Sequence, residues 1–71
     1  MQYITAEILA KRLRQIRKKK GLSQKEFADM LDIAPSQLNR LEQGVLNTTL
    51  DTIDRICSAL KMKPAELFKE K

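Results

Sequence analysis

Apolar residues recur along the chain at three- and four-residue spacings, separated by short polar breaks. Such spacing places apolar side chains on one face of a helix. The pattern predicts three helices over about residues 6–19, 23–31 and 35–43. A fourth helix starts after Thr48 or Thr49 and continues to Leu60, and a fifth covers about residues 64–68. The expected core positions are Leu9, Leu13, Ile16, Phe27, Ala28, Leu31, Leu38, Leu41, Leu50, Ile53, Ile56, Cys57 and Leu60.

Polar and special residues mark the ends of the first two helices. Thr5 is the expected N-cap of the first helix, because its hydroxyl can accept a first-turn N–H. Gly21 is expected to end that helix with a positive φ. Ser23 and Glu26 have the spacing of a capping box, in which each side chain accepts from the other's backbone N–H. These signals predict a tight connection between the first two helices.

The later helices start with prolines or threonines. Pro35 and Pro64 suit the first helical position, where no N–H is needed. Ala34 precedes Pro35 and offers no side-chain cap. Thr48 with Asp51 would form a capping box, or Thr49 would cap instead. The chain is thus predicted to be all-α, one compact five-helix domain over residues 1–71.

The composition excludes several kinds of site. The 71 residues contain no His and one Cys, Cys57. An internal disulfide and the usual zinc ligand sets are therefore absent, as is the commonest general base. We expect no enzyme activity, no cofactor and no metal. The chain has a single thiol, and its N-terminal sequence does not resemble a signal peptide. We therefore expect a cytoplasmic protein with no membrane partner.

Positive charge is concentrated near the N-terminus. The net charge is +5, but residues 6–20 carry seven basic side chains against one acidic, whereas residues 21–71 carry seven basic and eight acidic. Such asymmetry favours a polyanionic partner. The alternative is a solvated lysine-rich helix face. Arg14, Lys18 and Lys19 would add non-specific attraction for phosphate, or each of them would only keep this face soluble.

The segment over about residues 23–43 predicts two short helices joined by a tight turn. The second has a polar outer face, which is typical of a helix-turn-helix. Ala28 is small enough to let the two helices approach closely. The sequence here resembles the Cro/CI-type helix-turn-helix proteins, also called the lambda-repressor-like or XRE family. The matching residues are Leu13, Arg17, Gly21-Leu22-Ser23-Gln24, Phe27-Ala28, Leu31, Ile33, Ser36, Leu38, Arg40-Leu41-Glu42 and Gly44, followed by Leu50, Ile53, Ile56 and Ala59-Leu60.

The resemblance implies roles for residues around the third helix. Arg17 and Glu42 match a partly buried salt bridge that fixes the recognition helix, although Arg17 could instead contact DNA. Base contacts are expected from the recognition helix over 35–43, with Arg40 able to donate twice to guanine. The candidate base-contacting residues are Pro35, Ser36, Gln37, Asn39 and Arg40. Pro35 departs from the family's frequent polar residue, so readout there would be apolar or absent.

Phosphate contacts are expected on both sides of the recognition helix. Gln24 matches a family phosphate contact at a helix N-terminus, where free N–H groups favour anions. The full set of candidates is Ser23, Gln24, Gln43, Asn47, Thr48 and Arg14. Val45 and Leu46 interrupt the usual polar character of the turn, which leaves Asn47 as the main candidate for a phosphate contact there. Val45 and Leu46 would instead be buried or contact a partner. Leu67 and Phe68 are each expected either in the core or at a dimer interface.

The preferred functional hypothesis is a dimeric regulator of transcription. One helix reads few base pairs, so a homodimer on a palindromic operator in double-stranded DNA would supply selectivity. Small members of this family act as phage repressors, restriction–modification controllers, and antitoxins that repress their own operon, and the sequence does not choose among them. The alternative is an antitoxin or other module whose main partner is a toxin or another regulatory protein.

Overall fold

The computed structural model describes residues 4–45 and 49–69, with the side chain of Ile4 left undescribed. Five helices occur in these ranges: α1 over Ile4–Lys20, α2 over Gln24–Leu31, α3 over Pro35–Glu42, α4 over Leu50–Leu60 and α5 over Pro64–Leu67. The all-α class and the five predicted helices are confirmed. None of the described helices is long and apolar enough to cross a membrane.

The predicted ends of α1 and α2 are confirmed except for one cap. Gly21 has φ 70° directly after α1. Ser23 and Glu26 form the complete capping box: Glu26 N donates to Ser23 Oγ at 3.1 Å, and Ser23 N donates to Glu26 Oε1 at 2.9 Å. These bonds lower the pKa of Glu26. The prediction that Thr5 caps α1 is wrong, because α1 already begins at Ile4 and Thr5 lies within its first turn.

The starts of α3 and α4 follow the local chemistry of the chain. Ala34 precedes α3 with extended backbone angles and makes no side-chain cap hydrogen bond, as expected. Thr49 caps α4, since Thr52 N donates to Thr49 Oγ1 at 3.3 Å. Of the two alternatives for α4, the structure therefore has the Thr49 cap. Thr48 itself lies outside the described residues.

One core joins all five helices. Its buried members are Leu9, Leu13, Phe27, Ala28, Leu31, Leu38, Leu41, Ile53, Ile56, Cys57 and Leu67. Ala6 and Ala10 are buried as well. Burial, with a smaller contribution from the charge of Asp54, raises the pKa of the Cys57 thiol. Leu50, which the helical spacing grouped with the core positions of α4, is 83% exposed at the first residue of that helix.

The C-terminal apolar residues belong mainly to the core. Leu67 is fully buried, and Met62 and Phe68 pack against the same cluster in partly buried positions. Leu67 is therefore unavailable as a surface contact. Val45 is about half exposed, so of its two expected states the buried one is wrong. Leu46 lies outside the described residues.

Candidate nucleic-acid interface

The turn between α2 and α3 is closed by backbone hydrogen bonds at the end of α2. Asp32 adopts a left-handed conformation with φ 59° at the end of α2, and Ile33 N donates to Ala28 O at 3.1 Å. Ala28 is fully buried and Ile33 packs against the core. The sequence did not signal the left-handed residue, since the turn contains no glycine. This compact turn leaves the outer side of α3 uncovered.

A buried ion pair attaches the end of α3 to α1. Arg17 Nε lies 2.9 Å from Glu42 Oε2 and 3.2 Å from Oε1. The side chain of Glu42 is 3% exposed and that of Arg17 18%. Arg17 Nη1 also donates to Leu22 O at 3.2 Å. The guanidinium thus joins α1 to α3 and to the connection before α2, which is a structural role for Arg17.

Gln24 is the second donor to this buried carboxylate. Its Nε2 donates to Glu42 Oε1 at 3.1 Å and to Asn39 Oδ1 at 3.4 Å. Gln24 is half-buried as a result. The sequence indicated a phosphate contact for this residue but not its hydrogen bonds to α3, because such bonds depend on how α2 and α3 cross.

Arg14 supports the same end of α3 from the neighbouring turn of α1. Its Nη1 donates to the backbone carbonyl of Glu42. The carbonyls of the last helical turn lack partners within the helix, so a cation placed there satisfies one of them and also suits the negative end of the helix dipole. Arg14 therefore has a tertiary partner inside the protein, in addition to its expected role toward phosphate.

The candidate base-contacting residues occupy the outer side of α3. Pro35, Ser36, Asn39 and Arg40 are exposed, and Gln37 is half-buried. Gln37 Nε2 lies 3.5 Å from Thr52 Oγ1 of α4. Within residues 4–45 and 49–69, no hydrogen bond or ion pair holds the side chains of Ser36 or Arg40. These two side chains are free to contact a molecule placed against α3.

The candidate phosphate-contacting residues are spread around this face. Ser23 is occupied as the α2 cap. Gln43 is exposed at the end of α3, and its Nε2 donates to Asn39 Oδ1 at 3.4 Å. Asn47 and Thr48 lie outside the described residues. The structure thus brings Gln24, Asn39 and Gln43 together.

Exposed lysines extend this surface along the end of α1. Lys18, Lys19 and Lys20 are exposed there, and Lys25 is exposed in the first turn of α2. None of the four takes part in an ion pair within the described ranges. Their charge is therefore available to attract an anionic partner.

Comparisons with known proteins agree with this architecture. The HTH_3 family, described as helix-turn-helix, matches residues 13–67. The chain is 33% identical over 62 residues to the control protein C.BamHI of Bacillus amyloliquefaciens, an alignment that covers 86% of this chain and 76% of that protein. It is 44% identical over 45 residues to the HTH-type transcriptional regulator RamB of Mycobacterium tuberculosis, covering 63% of this chain but only 10% of RamB.

A solved structure matches over nearly its whole length. The restriction–modification controller protein C.AhdI of Aeromonas hydrophila superposes with a TM-score of 0.78 and 34% sequence identity, covering 92% of this chain and 98% of that one. The family match covers the second half of α1 and all of α2, α3, α4 and α5. The chain therefore belongs to the HTH_3 family of helix-turn-helix transcriptional regulators.

Proposed function

We propose that this protein binds a palindromic operator in duplex DNA as a homodimer and represses transcription, including that of its own gene. The observation that carries the proposal is the division of α3 into two faces. Leu38, Leu41 and Glu42 are buried against the fold, whereas Ser36 and Arg40 are exposed. A helix held firmly on one side with free polar groups on the other suits insertion into the major groove.

Arg40 is the strongest proposed base contact. Its guanidinium has no partner in the described part of the chain, and its planar pair of donors matches guanine O6 and N7. Ser36 lies four residues earlier, on the same face and closer to the N-terminus of α3. Pro35 would contribute only an apolar contact, and Gln37 would reach a base from beside α4.

Phosphate contacts would orient α3 in the groove. The first-turn N–H groups of α2 that its capping box leaves unused, together with the helix dipole, favour a phosphate near Gln24 and Lys25. Gln43, Asn47 and Thr48 would contact the backbone on the other side. Lysines at the end of α1 would add a salt-sensitive attraction that carries no sequence information.

A dimer follows from the small reading surface of one helix. Two copies bound about one helical turn apart would read two half-sites, and the operator would then be an inverted repeat. The sequence similarity to the controller proteins C.BamHI and C.AhdI supports a regulator of the controller type. Val45 and Leu50 are large apolar residues that the monomer leaves exposed, which is compatible with burial between copies.

Selection of bound duplexes from a random pool, at fixed near-physiological salt, tests this function. We expect an inverted repeat whose half-site centres are about one helical turn apart. Arg40→Ala is expected to remove selectivity at one position of each half-site. A reporter driven by the selected operator then tests the regulatory sign, and repression is expected.

The controls separate sequence reading from simple charge attraction. Lys19→Ala should weaken binding to all duplexes about equally and reduce the salt dependence, because it removes one phosphate-directed charge. Binding to every duplex with no enriched motif would contradict the operator proposal. A single unrepeated motif, with a monomer in solution, would contradict the dimer.

A further inference from the structure

Three amide side chains meet on the outer side of α3 and form what we call the amide cluster: Gln24, Asn39 and Gln43. Asn39 lies at its centre. Its Oδ1 accepts from Gln24 Nε2 at 3.4 Å and from Gln43 Nε2 at 3.4 Å. The cluster lies beside Arg40, the exposed cation of the same helix.

The buried ion pair determines the orientation of the Gln24 amide. Glu42 is a carboxylate acceptor, so the atom of Gln24 that lies 3.1 Å from Glu42 Oε1 must be the amide nitrogen. That nitrogen has two N–H groups, one directed to Glu42 and the other to Asn39. Both donors of the Gln24 side chain are therefore used inside the protein.

The same geometry fixes which group Asn39 can present. A carbonyl oxygen has two lone pairs, and Gln24 and Gln43 occupy both on Oδ1. In the described chain, no acceptor takes up the Nδ2 hydrogens of Asn39. The exposed part of the side chain is therefore a pure hydrogen-bond donor.

We propose that the amide cluster makes Asn39 a specificity-determining residue that selects guanine and discriminates against adenine at one position of each half-site. Asparagine usually pairs with adenine through one donor and one acceptor, whereas guanine presents two acceptors, O6 and N7. With Oδ1 occupied, the acceptor that adenine requires is missing. Gln24 acts here as a positioning residue. The inference rests on the proposed operator binding.

Asn39→Asp is the sharpest test, because it keeps the shape and the inward acceptor but replaces the outward donor by an oxygen. The two duplexes compared are the selected operator with guanine at the position read by Asn39 and the same operator with adenine there. Wild type should bind the first roughly fivefold or more tightly than the second, which is the lower end of what a good base contact contributes. Asn39→Asp should bring that ratio below one, because an outward oxygen repels guanine O6 and N7 and can accept from the amino group of adenine. Comparing ratios removes the uniform effect of the added negative charge on affinity.

Freeing Asn39 provides the second test. Gln43→Leu removes one donor to Oδ1 and leaves the Glu42 ion pair intact, and Gln24→Leu with Gln43→Leu removes both. Asn39 can then rotate, so adenine should become enriched at the position where wild type selects guanine. Thermal unfolding of each variant, run in parallel, keeps loss of folding apart from a change in base preference.

The outcomes distinguish this inference from the function on which it rests. Failure of wild type to select any motif would overturn the operator proposal and this inference with it. If Asn39→Asp leaves the wild-type motif unchanged, only the role of Asn39 is overturned. The same holds if the substitution weakens the binding of all duplexes equally, as loss of a phosphate contact would. Adenine preference by wild type at this position also overturns that role.

Discussion

The two ends of α3 are held in opposite ways. At its C-terminal end, Glu42 is buried, its carboxylate accepts from Arg17 and Gln24, and its carbonyl accepts from Arg14. At its N-terminal end, Ala34 supplies no side-chain cap and Pro35 is exposed. The helix is thus anchored by a buried carboxylate at the end next to α1, whereas the end proposed to enter the groove deepest is linked to α4 through Gln37, whose Nε2 lies 3.5 Å from Thr52 Oγ1.

This difference separates two tasks that a recognition helix performs. Its orientation depends on polar contacts among α1, α2 and Glu42, and its proposed reading depends on exposed side chains such as Ser36 and Arg40. Substitutions at the anchored end should therefore change stability most, and substitutions on the exposed face should change base selectivity.

The largest effect is expected from Glu42→Ala. Removing the carboxylate leaves Arg17, only 18% exposed, without its partner. Breaking a buried pair on one side typically costs 3–5 kcal/mol, and the partial exposure of Arg17 places the expected loss at about 3 kcal/mol. Urea denaturation of the variant and wild type measures it. An unchanged unfolding midpoint would show that this ion pair does not anchor α3.

Arg40→Ala should change selectivity and leave stability unaffected. The side chain is exposed and has no partner within the described residues, so its loss removes no internal contact. A bidentate contact to guanine contributes about 1–3 kcal/mol of discrimination. Competition binding between the selected operator and single-position variants measures that discrimination. A fall in unfolding free energy with an unaltered motif would place Arg40 on the structural side of the division.

Ala34→Ser should strengthen the weak end of α3. Ala34 has φ −69° and ψ 141°, the extended conformation of an N-cap, and a hydroxyl there can accept a first-turn N–H. The expected gain in unfolding free energy is about 0.5–1 kcal/mol. Thermal unfolding checks the gain, with Ala34→Val as the control, because valine tolerates the extended backbone but has no capping hydroxyl. Equal stability of wild type and the serine variant would mean that the start of α3 needs no cap.

Arg55→Ala is the matched surface control and should have the smallest effect. Arg55 Nε lies 3.4 Å from Asp51 Oδ2, and the two side chains are 55% and 75% exposed. Exposed pairs of this kind contribute about 0.3–0.5 kcal/mol. Measured under the same conditions as Glu42→Ala, its loss should be several times smaller. Similar losses of unfolding free energy in both variants would show that the buried Arg17–Glu42 pair stabilises the fold no more than an exposed pair does.

Local signals and tertiary contacts differed in how well the sequence predicted them. The capping box of Ser23 and Glu26, the stop at Gly21 and the start at Pro35 were predicted correctly, because each depends on residues within one helical turn. Thr5 and Leu50 were assigned wrongly. A threonine is equally compatible with a first helical turn, and helical spacing alone does not tell whether the first apolar residue of a helix reaches the core.

The hydrogen bonds around Glu42 show where sequence reasoning ends. The resemblance implied that Arg17 and Glu42 pair, but no pattern indicated that Arg14 would reach the carbonyl of Glu42 or that Gln24 would donate to its carboxylate. Arg14 and Glu42 are 28 residues apart and Gln24 and Glu42 are 18 apart. Such contacts depend on the angles at which α1, α2 and α3 cross.

The five helices and most of their ends could be predicted from the sequence, because helical period and capping act over a few neighbouring residues, and the family could be predicted because the matching residues occur in order and with unbroken spacing. The donors around Glu42, the side of α3 that stays exposed and the orientation of the Asn39 amide depend on the fold. A side chain's free hydrogen-bonding groups are those left over after packing, and packing brings together residues that are distant along the chain.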